Sequence, residues 1–222
     1  MSRKNHWWMW ALLGAMSIGS ATECQAQLAP RKAEEWVTTL EGPQRVATQK
    51  IDEVLSKLSL KSGMVVADIG AGSGLFSRPL AKAVAPAGRV YAVDIQQDLL
   101  DYINKRGKEE NIRNIQTVLG EFNDPKLPAR DVDMAFINDV LHHIQNRAAY
   151  LKALGTYLKP GGRIAIIEMD KNDPNTSHRN QPELQVGREE MLQWMSDAGF
   201  KLVEEHPELF PGKKWFLVFG RK

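Results

Sequence analysis

Val65-Val66-Ala67-Asp68-Ile69-Gly70-Ala71-Gly72-Ser73-Gly74 is the stretch that decides the fold. Met64 to Ile69 is a short apolar run between Gly63 and Gly70 that contains two β-branched valines, so it predicts a buried strand rather than a helix. Glycines at 70, 72 and 74 then predict a sharp turn whose backbone approaches a ligand with no Cβ in the way. Working outward, Leu75 to Val84 reads as a helix, Pro86-Ala87-Gly88 as a turn and Arg89 to Asp94 as a second strand. Strand, glycine turn, helix, strand is the opening unit of a doubly wound α/β sheet.

The alternation continues through a helix at Gln97 to Glu110, strands at Ile115 to Leu119 and Val132 to Asn138, a helix at Ala148 to Leu158 and a strand at Arg163 to Glu168. Helices between strands imply right-handed crossovers and a mostly parallel sheet. From Asp170 to Val186 the chain is polar and interrupted by Pro174 and Pro182, which predicts a long loop. A helix at Glu189 to Ala198 ends at Gly199, and Lys201 to Glu205 with Trp215 to Phe219 suits a closing hairpin. Upstream, Val46, Ile51, Val54, Leu55 and Leu58 recur at helical spacing and predict an amphipathic helix leading into the fold.

The 222 residues suit one sizeable core. With 29 basic against 27 acidic side chains interspersed there is no basic stripe, so composition makes no case for a nucleic-acid partner. A single Cys, Cys24, excludes an internal disulfide framework and a zinc site built from several thiolates. The first 26 residues stand apart: Arg3 and Lys4, an uncharged stretch from Trp7 to Ile18, then small residues from Ala21 to Ala26. This is the layout of a secretory signal peptide. It predicts an exported or periplasmic protein, membrane-anchored if the leader is uncleaved, or cytoplasmic if the true start lies near Met9 or Met16. The expected organisation is a leader at 1–26, a helical lead-in at 27–60 and the α/β domain at 61–222.

Two acids narrow the ligand. Asp94 ends the second strand, where a carboxylate accepts hydrogen bonds from ribose hydroxyls. Asp68, two residues before the first glycine, lies where a dinucleotide would bring its pyrophosphate, so a cationic ligand suits it better. The same segments resemble class I S-adenosylmethionine-dependent methyltransferases. Val65 to Gly74 is similar to the family's first motif, Val90 to Ile95 to its second-strand acid, Gly120-Glu121-Phe122 to its adenine segment, Ala135 to His143 to its fourth-strand motif and Lys159-Pro160-Gly161-Gly162-Arg163 to the turn into the fifth strand. The resemblance covers about residues 45 to 220.

It implies a Rossmann-like seven-stranded sheet with an antiparallel last strand, and S-adenosylmethionine as cofactor. It further implies that Asp68 with Gly70, Gly72 and Gly74 holds the methionine part, Asp94 the ribose, Ile95 the adenine face, and Glu121 with the backbone of Phe122 the adenine edge. Asn138 would line the cofactor near the reacting methyl.

Methyl transfer is an in-line displacement, so the protein mainly aligns the nucleophile and excludes water. Asp139, His142 and His143 follow the fourth strand and are the candidates to face a small-molecule acceptor. The two histidines are adjacent, which predicts that only one points into the site. Asp139, His142, His143 and Glu168 are metal-ligand types, but their spacing matches no metal motif, so no metal is expected. Asp170, Asp173 and His178 fall in or beside the loop that in the resembling family shapes substrate access. Two other readings share the glycine turn: a non-catalytic ligand- or partner-binding protein, and an NAD-dependent oxidoreductase, which Asp68 and the lack of an obvious Tyr-Lys pair disfavour.

Overall fold

A computed structural model describes residues 32–176 and 178–222. The five residues of β1 (Val65–Ile69) are all buried, as an apolar run covered on both faces requires. Around it lie β2 (Arg89–Asp94), β3 (Ile115–Leu119), β4 (Val132–Asn138), β5 (Leu158–Met169), β6 (Phe200–Glu205) and β7 (Lys214–Arg221). The sheet order is β3-β2-β1-β4-β5-β7-β6. β1 pairs in parallel with β2 and β4, whereas β7 runs antiparallel to both β5 and β6. The expected seven-stranded, mostly parallel sheet with an antiparallel last strand is therefore what forms.

Strand alternation divides the core in two. Ala67, Ile69, Tyr91, Val93, Ile137, Ile166 and Phe219 face one side of the sheet, where they meet Leu151 and Leu154 of α6 (Arg147–Gly155) and Met191 and Met195 of α7 (Arg188–Asp197). Val66, Val90, Phe136, Ile167 and Phe216 face the other side, against Leu80 and Val84 of α4 (Ser77–Val84) and Val54 of α3 (Ile51–Lys57). α5 (Gln97–Glu109) adds Leu100 and Ile103 over Ala92.

The chain moves from β1 out to β3 and returns to β4 on β1's other side. Its direction of winding thus reverses between β1 and β4, and the ends of these two strands open into a crevice where sheets of this kind bind ligands.

The lead-in differs from the single helix that its apolar spacing predicts. It folds as three short helices: α1 (Ala33–Leu40), α2 (Pro43–Gln49) and α3. Gly42-Pro43 starts α2 afresh, since proline is suited to the first helical turn. Lys50 then adopts the left-handed conformation at φ 47°, which ends α2 and redirects α3. One consequence is that α3 packs on the core while α1 and α2 cross the crevice.

The placement of the protein at a membrane is corrected. Among the described residues no helix is long and apolar enough to cross one. The signal peptide predicted at 1–26 lies outside the described residues, so the exported or anchored placement built on it has no counterpart in the described domain.

Candidate functional site

A cavity of about 410 Å³ occupies the crevice. It is floored by the turn after β1, walled by Asp94, Ile95 and Phe122 on one side and by Asn138 to Val140 and His142 to Ile144 on the other, and roofed by Trp36, Leu40, Arg45 and Gln49 of α1 and α2.

The turn is shaped by close packing. Gly70 has φ 69°, and a Cβ there would run into the Val140 side chain. Ala71 N–H donates to Val93 O at 2.9 Å and Gly72 N–H donates to Asp94 Oδ2 at 2.8 Å, so the turn is tied to the end of β2. Asp94 Oδ1 accepts from Gln96 N–H at 3.0 Å. Each carboxylate oxygen thus keeps a lone pair for a further donor from the cavity. Burial raises the Asp94 carboxyl, while the backbone N–H groups of Gly72, Gln96 and Ile95 pull it back down.

Asp68 is 3% exposed, and its Oδ2 accepts from Ser77 Oγ at 2.5 Å. Burial pushes its carboxyl up to about 7, against the Ser77 hydrogen bond and with a small addition from the charge of Asp94. A buried carboxyl held that high gains most from a cation placed beside it. Ile95 and Phe122 line the cavity rim and are 40% and 49% exposed. Phe122 is accordingly not a core aromatic. Glu121 also lines the cavity and pairs with Lys126 at 3.3 Å. Gly74 does not line it: the glycine instead lets the start of α4 pack against Ile103.

On the β4 side, Asp139 sits at φ 54°. Its Oδ2 accepts from Lys214 Nζ at 2.7 Å and from Gln49 Nε2 at 3.2 Å, with Arg45 at 3.5 Å. Burial would raise the Asp139 carboxyl, but Lys214, helped by Arg45 and Gln49, holds it below the ordinary carboxylate range. Gln49 also accepts from Asn138 Nδ2 at 3.2 Å, so a single side chain from α2 clamps the last residue of β4 and the one that follows it.

His142 and His143 lie in a 3-10 turn at Leu141–His143. Contrary to the expectation that only one would face the site, both line the cavity, with ring centroids 4.0 Å apart. The tight turn brings the rings together where a strand would have sent them to opposite sides. Glu168 is fully buried and accepts from the His142 backbone N–H at 3.1 Å, and its Oε1 lies 2.7 Å from His142 Nδ1. Desolvation, with His142 and His178 nearby, pushes the His143 imidazole down to about 3, so it is neutral across the physiological range. His178, from the loop after β5, completes a cluster with the two.

Sequence reasoning missed Gln49, Arg45 and Lys214. Only the break at Gly42-Pro43 signals that the lead-in could fold back over the crevice. Nothing local marks Lys214, which reaches the site because β7 is antiparallel and so begins where the parallel strands end.

A family profile described as "Methyltransferase domain" matches residues 60–203. A demethylmenaquinone methyltransferase of Staphylococcus saprophyticus is 32% identical over 115 residues, which is 52% of this chain and 48% of that protein. An uncharacterized 37.1 kDa protein in transposon TN4556 of Streptomyces fradiae is 31% identical over 135 residues, 61% of this chain and 38% of that one. The chain thus spans about half or less of the length of these curated relatives. Among solved structures, a SAM dependent methyltransferase from Aquifex aeolicus superposes with a TM-score of 0.76 at 25% identity, over 87% of this chain and 100% of that chain. With the profile spanning more than half of the chain, and the sheet order, glycine turn and crevice in agreement with it, the chain belongs to the methyltransferase-domain family and has the class I S-adenosylmethionine-dependent methyltransferase fold.

Proposed function

We propose that this protein is an S-adenosylmethionine-dependent methyltransferase acting on a small-molecule acceptor, with residues 61–222 as its cofactor-binding domain and the preceding helices as the roof of its site. The observation that carries this reading is the single cavity joining the glycine turn and Asp94 to Asn138 and His143, two strands away across the sheet. One enclosure there has room for a cofactor at one end and an acceptor at the other.

The residues fit the cofactor. Asp94 offers an unused lone pair on each oxygen to the two ribose hydroxyls. Ile95 and Phe122 offer apolar faces to an adenine ring, with Glu121 at its edge. Asp68, with Gly70 and Gly72, takes the cationic methionine part. Asn138 faces the reacting end. When bound, S-adenosylmethionine supplies an electrophilic methyl on a cationic leaving group.

This chain's own work is then positioning and water exclusion. Asp139 is a positioning residue: with its Oδ2 already bonded to Lys214 and Gln49, it fixes the end of β4 beneath α2. Glu168 orients His142, and the neutral His143 presents a lone pair toward the acceptor. The name of the Staphylococcus relative, a demethylmenaquinone methyltransferase, supports an acceptor of the quinone class in its reduced form.

Calorimetry on the full chain tests the reading. S-adenosylmethionine and S-adenosylhomocysteine should bind while NAD does not, and pooled hydroquinone and phenol acceptors should yield S-adenosylhomocysteine. A folded protein that binds neither sulfur nucleoside would remove the methyltransferase reading and leave a non-catalytic ligand-binding role.

A further inference from the structure

The cluster of His142, His143 and His178 has no part in holding the cofactor, yet it is built with unusual care. The three residues each place a ring nitrogen within 4.8 Å of the others. Ring centroids are 4.0 Å apart for His142 and His143 and 4.8 Å apart for His142 and His178. All three line the cavity on its β4 side.

Two of the rings are oriented from behind. His142 Nδ1 lies 2.7 Å from Glu168 Oε1, and His178 Nδ1 lies 2.8 Å from Gln181 Oε1. An oxygen at Nδ1 selects the tautomer that carries its proton there, which leaves the lone pair on Nε2. A carboxylate or amide behind the ring is the arrangement that orients metal-binding histidines. The third ring, His143, has a buried Nδ1 that pairs with no group among the described residues.

The backbone is fixed as well. Arg147 donates to the carbonyls of Leu141, at 3.0 Å, and His142, at 2.9 Å, and also to Glu183 of the loop at 2.8 Å. Gln185 Nε2 donates to His178 O at 3.1 Å. The loop that carries His178 is thereby tied to the turn that carries the other two.

We propose that His142, His143 and His178 form a binding site for one divalent transition-metal ion of the zinc class, open to the cavity. Three imidazoles select borderline metals over calcium or magnesium and leave a coordination position for an oxygen ligand. With bonds of about 2.0–2.1 Å, three nitrogens around zinc stand roughly 3.3 Å apart, so closure asks for about 1 Å of ring movement. The three imidazole side chains share this movement, since the backbone of the turn and of the loop is held in place. On the methyltransferase reading, which the site itself does not require, the open position faces the acceptor.

Zinc chloride is titrated by calorimetry into chelator-treated full chain, and bound ions are counted by mass spectrometry. The expected result is one ion per chain. Binding should weaken at least tenfold in His178→Ala and in His143→Ala, whose unfolding temperatures stay near that of the parent. His206→Ala, outside the cluster, should bind as the parent does. Absence of binding by the parent, or binding unchanged by both cluster substitutions, overturns the proposal. Because the readout is the ion, its failure is separate from any failure to bind S-adenosylhomocysteine.

Discussion

Lys214 Nζ lies 2.7 Å from Asp139 Oδ2, joining the first residue of β7 to the residue that follows β4. The side chains are 15% and 8% exposed, so the pair is largely removed from water. Removing the cation leaves a buried carboxylate with only Gln49 and the longer Arg45 contact, whereas an asparagine at 139 keeps the left-handed backbone and leaves a lysine that can turn outward. Lys214→Met should therefore cost about 3 kcal/mol and Asp139→Asn about 1–2 kcal/mol. Urea unfolding of both variants checks the order, and equal losses would contradict it.

Asp94 serves the turn and the ligand together. Asp94→Ala removes the acceptor for Gly72 and Gln96 N–H and should abolish measurable S-adenosylhomocysteine binding. Asp94→Asn keeps one acceptor oxygen, so its affinity should fall by at least tenfold, about 1.4 kcal/mol. Calorimetry that found the asparagine variant binding as tightly as the parent would refute the ribose assignment.

Asp68 predicts a pH dependence of definite sign. Its folded value, about 7, lies above the ordinary 3.8, so the folded chain holds a proton that the unfolded chain has lost between these limits. The stability it contributes is full below about pH 4 and is lost as pH rises through about 7, at up to about 1.4 kcal/mol per pH unit. Measured against Asp68→Asn, which cannot titrate, the parent should lose relative stability across that window. A cationic ligand favours the ionised form, so S-adenosylmethionine affinity should rise toward pH 7 and then level off. A relative stability that climbs with pH would show the carboxyl is not raised.

Gly70→Ala combines two costs, a left-handed backbone and a clash with Val140. It should destabilise by about 2–3 kcal/mol. In a double-mutant cycle with Val140→Ala only the clash should be recovered, leaving about 1–2 kcal/mol of backbone strain. Full recovery would mean that the turn does not need glycine's conformation.

Phe122→Ala should weaken S-adenosylhomocysteine binding several-fold with a stability change below about 0.5 kcal/mol, because the ring is half exposed without a ligand. Thermal unfolding and calorimetry on one preparation separate the two effects.

The cofactor side of the site was legible because each of its parts is local. Asp68 and the glycines follow one strand without interruption, and Asp94 with Ile95 ends the next, so strand order alone brings them to a common edge. Phe122 required the structure to show that it faces the cavity rim rather than the core. The paired histidines were misjudged because alternation of side chains holds for a strand and fails in a 3-10 turn.

What the sequence by itself determined is the doubly wound sheet and the nucleotide-type crevice, since apolar periodicity and glycine placement act within a few residues. The tertiary structure decided the other end. Asp139 finds Gln49 90 residues away and Lys214 75 residues away, and His142 finds Glu168 26 residues away. Such charge and hydrogen-bond partners are chosen by burial: once the sheet buries a carboxylate or an imidazole, whichever polar groups the crossovers carry to that edge must satisfy it, and no local pattern records which they are.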